Sequence, residues 1–235
     1  MTATTSDTAA PSGMQRTYLL FSNATLMMVW ARVLRLIYRS RYWPVVLEAW
    51  RDGAPTPLLT GTWCPALVTP ALNLALALSF MEVFNAAAGL TRSKPQLAAL
   101  FCMVRAVMQL GVAPLLSDCQ VPAHIFTITC WSLGDMIRFG CFLLDLLVPG
   151  GTVAKRIRYT VGPLLFPLGA LGEVLMVATY ANEHNDWPWL VLACIAWPMG
   201  FYPLMTQLWK QRTKYYQQFK AKSKQQQSES KAKTN

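Results

Sequence analysis

Charge is what this chain has least of. Only 14% of its 235 residues are Asp, Glu, Lys or Arg, where soluble domains carry about 25%. With a hydrophobic share of 54%, that scarcity argues against a soluble domain and for a chain that lives in lipid. Acids are scarcer than bases, 11 against 21. The resulting net charge of +10 would suggest nucleic acid in a soluble protein. Here the bases sit in short connections and the C-terminal tail, the pattern that orients membrane helices, so no nucleic-acid partner is expected. No CxxC or CxH spacing occurs among Cys64, Cys102, Cys119, Cys130, Cys141 and Cys194. Most of these lie within or beside apolar runs and read as small buried hydrophobes, with neither a disulfide framework nor a metal site. Period-two alternation is missing, which leaves helices rather than a barrel as the way to satisfy the backbone in lipid. An inverted repeat is missing too, which weakens a transporter reading. The first 15 residues lack the basic n-region and apolar core of a signal peptide and read as a disordered tail.

What remains is a succession of apolar runs, at about 18–37, 66–89, 96–116, 123–147, 159–180 and 187–209. Each has about the 20 residues needed to cross ~30 Å of hydrocarbon as helix. The expectation is an all-α polytopic membrane protein, a six-transmembrane-helix bundle over residues 16–214, followed by a basic disordered tail at 215–235. Between the first two runs, Tyr42 to Trp50 has the aromatic content of a short interfacial helix. Arg16, Arg92, Lys94, Lys155, Arg156 and Arg158 and the bases from Lys210 onward fall on one side if both termini are cytosolic. Arg39, Arg41 and Arg51 in the first loop dissent. The chain ends Lys231-Ala-Lys233-Thr-Asn235, which resembles the cytosolic signal that retrieves membrane proteins to the endoplasmic reticulum.

The charges inside the runs carry the chemistry. They are Arg32, Glu82, Arg105, Asp135, Arg138 and Glu173, three acids and three arginines. Each costs roughly 2.5–3.5 kcal/mol at a membrane helix centre on insertion scales, so such groups usually face a protein interior or a cavity. Asp135 and Arg138 share a helix face at i,i+3, leaving Arg105 as a partner for Glu82 and Glu173. Arg32, near a helix end, can snorkel. A structural role in fixing bundle register would explain one or two such groups; six favour a polar pocket, where arginines suit phosphate or carboxyl groups. Glu173 is a candidate proton acceptor or donor there. Phe166 lies seven residues earlier on the same helix face. Gly169 and Gly172 allow a neighbouring helix to come close, and Pro167 favours a kink.

At this point the residues match a known pattern. Tyr18-Leu-x-x-x-Asn23 with Trp30, Glu82-Val83 with Gly89, Trp131 with Asp135-x-x-Arg138-Phe139, and Arg158-Tyr159 leading to Pro167-x-Gly169-x-x-x-Glu173 stand in order, with Tyr202-Pro203 and Gln207-Leu208 in the last run. From about Tyr18 to Lys214 the chain resembles the very-long-chain (3R)-3-hydroxyacyl-CoA dehydratases, also described as protein-tyrosine-phosphatase-like proteins. The resemblance implies a six-helix enzyme of the endoplasmic reticulum membrane with both termini cytosolic. Such an enzyme removes water from 3-hydroxyacyl-CoA to give trans-2-enoyl-CoA in fatty-acid elongation, with no cofactor. It also implies 3-hydroxyacyl-CoA, membrane lipid and the elongase and reductase enzymes of that cycle as partners.

The same resemblance implies a catalytic pair, a tyrosine and the glutamate seven residues later. Glu173 matches the glutamate, but Phe166 occupies the tyrosine position and lacks its hydroxyl. Asn85 stands where histidine is frequent, Asp135 replaces glutamate, and Arg92 sits where proline is common. Tyr159 and Tyr180 do not match the motif, and Tyr202 is left as a distant substitute. The alternative expectation is a catalytically silent homologue that scaffolds a membrane assembly.

Overall fold

The apolar runs become helices whose ends are set by proline, glycine and charge. The computed structural model describes residues 12–39, 51, 68–91, 93–116, 122–148, 152–184 and 187–234. Helix α1 spans Gly13–Arg39 and α2 Val68–Ala87. Helix α3 begins as Pro95–Ala106, widens to a π turn at Val107–Val112 and closes as a 3-10 turn at Ala113–Leu115. Then come α4 at Pro122–Leu147, α5 at Thr152–His184 and α6 at Trp187–Thr234. The expected interfacial helix at Tyr42–Trp50, together with residues 1–11, Cys64, Cys119 and Arg92, lies outside the described residues.

Local chemistry accounts for several of these boundaries. Gly89 takes φ 71°, a left-handed conformation that is cheap only for glycine. It lets the Leu90 amide donate to the Asn85 carbonyl at 2.9 Å and the Gly89 amide to Ala86 at 3.1 Å, the paired bonds of a Schellman cap. Helix α3 starts with Pro95 in its first turn, where a missing N–H does no harm. Pro114 lacks the N–H that would continue the ladder, and α3 ends within a turn of it. Helix α5 keeps Pro163 and Pro167 inside it.

The tail differs from expectation. Instead of losing structure at residue 215, α6 continues to Thr234. The reason is local: beyond Pro203 the sequence has no proline or glycine and is rich in Lys and Gln, both good helix formers.

Helices α1, α2, α3 through Leu115, and residues 153–181 of α5 are long and apolar enough to cross a membrane. Among the described residues, length and apolarity therefore support four spans where six were expected. Helix α4 carries His124, Thr127, Thr129, Ser132, Asp135 and Arg138, polar groups that lower its hydropathy and turn out to face the interior. Large apolar side chains, among them Phe21, Phe84, Leu110, Leu164 and Met199, point outward. A surface of that kind suits lipid and not water.

Helix α4 packs against α1 and α5, α1 against α2, α2 against α3, and α6 against α5. The core between them holds Trp30, Val33, Leu72, Ile125, Ile128, Phe139 and Met176. At the α4–α5 crossing a Cβ on Gly172 would collide with the Thr127 hydroxyl and lie 3.1 Å from the Thr127 Cα. Backbone cannot swing aside, so small size is required there. A Gly172→Val protein is expected to lose about 1–3 kcal/mol of stability by overpacking. A lowered midpoint of thermal unfolding in detergent would report that loss.

Candidate active site

Helices α2 to α6 enclose a cavity of about 480 Å³. Glu82, Arg105, Asp135, Arg138, Phe166 and Glu173 all line it, so all but Arg32 of the residues singled out by charge and by resemblance meet in one cavity. Asp135 is the hub. It pairs with Arg105 across from α3, and with Arg138 one turn along α4 at 3.2 Å. Arg138 in turn reaches Glu82 on α2 at 2.8 Å. The result is a four-membered chain of alternating sign, Glu82–Arg138–Asp135–Arg105, with Glu82, Arg105 and Asp135 buried. The local Asp135–Arg138 pair was expected. The partnering of Arg105 was not: its carboxylate is Asp135, while Glu82 belongs to Arg138. Asp135 faces both arginines at once, a choice helix spacing alone does not reveal.

Glu173 sits apart from that chain, and its hydrogen-bond partner is an indole. The Trp131 Nε1–H donates to Glu173 Oε1 at 2.7 Å, both residues being buried. An indole can only donate, so the bond holds one carboxylate oxygen and, with it, the rotamer of the side chain. Trp131 also packs beside Gly169, where a Cβ would lie 3.5 Å from the ring, in ordinary van der Waals contact. In the sequence Trp131 is part of a motif that assigns it no task. A donor and acceptor 42 residues apart leave no spacing signal.

Phe166 lies two turns from Glu173, about 10 Å along the helix axis. Its ring stacks on Phe201 of α6 at 5.2 Å and on Phe101 of α3 at 5.9 Å, forming an aromatic stretch of the cavity wall. No tyrosine among the described residues lines the cavity. Tyr202, the distant substitute, is 72% exposed and faces away. Tyr159 stacks on Tyr215, and Tyr180 on His184. Asn85 accepts a hydrogen bond from the Tyr18 hydroxyl at 2.9 Å. Arg32 stands on the exposed face of α1. Among the described residues no three His, Cys, Asp or Glu side chains converge as metal ligands would.

One end of the cavity is basic. Lys94 and Arg158 line it with Gln207 and Gln211, and Arg158 lies over the Phe142 ring at 4.2 Å. Near the same end of α5, Lys155 approaches Asp145 at 3.9 Å. Arg16 donates to the Leu146 carbonyl at 2.8 Å, tying the start of α1 to the last turn of α4. From Arg158 to Glu173, the last α5 residue to reach the cavity, is roughly 22 Å of helix.

The fold and site thus define a membrane-suited helical protein with a long, charged internal cavity and a held carboxylate at one end. The chain matches the family described as "Protein tyrosine phosphatase-like protein, PTPLA" over residues 76–218, more than half its length, and it belongs to that family. It is 28% identical over 145 residues to a probable very-long-chain (3R)-3-hydroxyacyl-CoA dehydratase of Schizosaccharomyces pombe, a match covering 58% of this chain and 69% of the relative. It is 26% identical over 117 residues to a very-long-chain (3R)-3-hydroxyacyl-CoA dehydratase of Caenorhabditis elegans, covering 49% of this chain and 54% of the relative. A Danio rerio dehydratase of the same description is 30% identical over 101 residues, 43% of this chain and 28% of the relative. No solved structure matches the chain.

Proposed function

We propose that this protein is a membrane-embedded 3-hydroxyacyl-CoA dehydratase. The reading rests on one observation above the others: a buried carboxylate, Glu173, held by an indole N–H on the wall of a cavity with a basic end. The thioester of the substrate acidifies its α-proton, so elimination needs a positioned base more than it needs redox chemistry. Glu173 acts as that base. Lys94 and Arg158 offer charge complementary to the phosphates of coenzyme A, and the stretch of cavity between them and Glu173 receives the pantetheine arm that carries the thioester to the base. Very-long-chain substrates, a place in fatty-acid elongation beside elongase and reductase enzymes, six spans, and an endoplasmic reticulum address with both termini cytosolic complete the proposal. They are supported by family membership, the relatives' names, the placement of basic residues and the Lys231/Lys233 ending.

A second reading has its own observation. Phe166 carries no hydroxyl and is locked between two other rings, as expected of a silent homologue that scaffolds other enzymes. Purified protein given 3-hydroxyacyl-CoA separates the two. Formation of trans-2-enoyl-CoA by the native chain is the expected result. An inert native chain that gains turnover on Phe166→Tyr would favour the scaffold, with its pocket preserved.

A further inference from the structure

An active chain has to replace the missing hydroxyl, and the cavity holds a candidate. We propose that Arg105 is the hydrogen-bond donor to the substrate's thioester oxygen in this protein. The inference rests on the dehydratase reading above and adds to it a residue and a role.

Four observations carry it. Arg105 is buried and lines the same cavity as Phe166 and Glu173. Its guanidinium carbon lies 4.0 Å from the Phe101 ring, and Phe101 stacks on Phe166 at 5.9 Å. The same carbon lies 5.3 Å from the Trp131 ring, whose N–H holds Glu173. Arg105 therefore stands one ring away from Phe166 and one ring away from the base. Finally, its Nε–H is buried without a hydrogen-bond partner. Buried polar atoms rarely go unpaired, so the guanidinium keeps donor capacity that Asp135 does not use.

Arg138 is the rival cation; its Nε–H is likewise buried without a partner, but both of its terminal nitrogens are committed. Nη2 faces Glu82 at 2.8 Å and Asp135 at 3.2 Å, and Nη1 donates to Glu82 at 3.2 Å. Arg105 has Asp135 on one nitrogen and aromatic faces of Trp30, Phe101 and Trp131 around the rest. These contacts fix the fork before substrate arrives.

The chemistry balances without another reactant. Glu173 takes the α-proton, and the electrons of that C–H bond become the carbon–carbon double bond as the β C–O bond breaks. The departing hydroxyl takes the proton back from the Glu173 carboxyl and leaves as water. Negative charge gathers transiently on the thioester oxygen, where a preorganised N–H in a dry site is most effective. Arg105 donates a hydrogen bond there and stays a cation throughout.

The test uses the full chain in detergent with 3-hydroxyacyl-CoA, comparing native protein, Arg105→Gln, and each with Phe166→Tyr added. Arg105→Gln should lose about 10²–10³ in kcat, with KM moved far less. Adding Phe166→Tyr should recover at least roughly tenfold in the Arg105→Gln background and little in the native one, because the hydroxyl and the guanidinium do one job. Arg105→Lys keeps a cation beside Asp135 without the fork; if Arg105→Gln fails to fold, Arg105→Lys is read instead, with a loss of about tenfold or more expected. Turnover that survives Arg105→Gln or Arg105→Lys but vanishes in Glu173→Gln would overturn this proposal and leave the dehydratase reading intact. So would equal gains from Phe166→Tyr in both backgrounds. A native chain inert until Phe166→Tyr is introduced would also overturn it, and a chain inert with or without that change would overturn both.

Discussion

Glu173→Gln should remove nearly all turnover of 3-hydroxyacyl-CoA, a loss of about 10²–10⁴ in kcat, while the protein still folds. The amide is the same size and can still accept the Trp131 N–H through its oxygen. What it cannot do is take a proton from carbon. The check pairs a kinetic assay with a thermal melt. Unfolding at the native temperature alongside lost turnover identifies a chemical role. A protein that melts early would make Glu173 a packing residue, and unchanged turnover would move the base elsewhere. Substrate binding should persist, because the basic end of the cavity lies roughly 22 Å of helix away from the substituted group.

The largest structural effect is expected at Asp135. It is the single carboxylate between two arginines, pairing with Arg105 and Arg138, and is nearly inaccessible to solvent. Breaking a buried pair by removing one partner costs about 3–5 kcal/mol, because the remaining charge is stranded. Asp135→Leu strands Arg105 outright, while Arg138 keeps Glu82. The expected result is a protein that expresses poorly or aggregates when heated in detergent. Removing Arg105 as well should return part of the loss, since the two changes share one interaction. An Asp135→Leu protein as heat-stable as its parent would show that water or lipid headgroups reach this cluster.

How much of this was readable beforehand differs from residue to residue. The helices were legible because apolar runs of about 20 residues leave the backbone few choices in lipid. Their ends were less so. The Gly89 cap has a turn signature, but the continuation of α6 past Trp209 is carried by the modest propensities of Lys and Gln. Glu82, Arg105, Asp135, Arg138 and Glu173 stood out because a charge in an apolar run is costly. Their pairing did not, because contacts between helices depend on how each helix is rotated about its axis. Spacing predicted Asp135–Arg138 on one helix and missed Asp135–Arg105 across two. Trp131 was the quietest of all: nothing in the alphabet marks an indole that will hold a carboxylate.

Helix α6 supplies one wall of the cavity through Gly200, Phe201, Leu204 and Gln207, yet it packs chiefly against α5 and lies outside the α1–α4–α5 centre of the bundle. Structural integrity and ligand choice are thus divided between different parts of the chain. Substitutions at Phe201 or Leu204 can reshape what the cavity admits while the charged hub and the crowded α4–α5 crossing keep the protein folded. Changes confined to this peripheral helix are expected to alter what the cavity admits before they unfold the bundle.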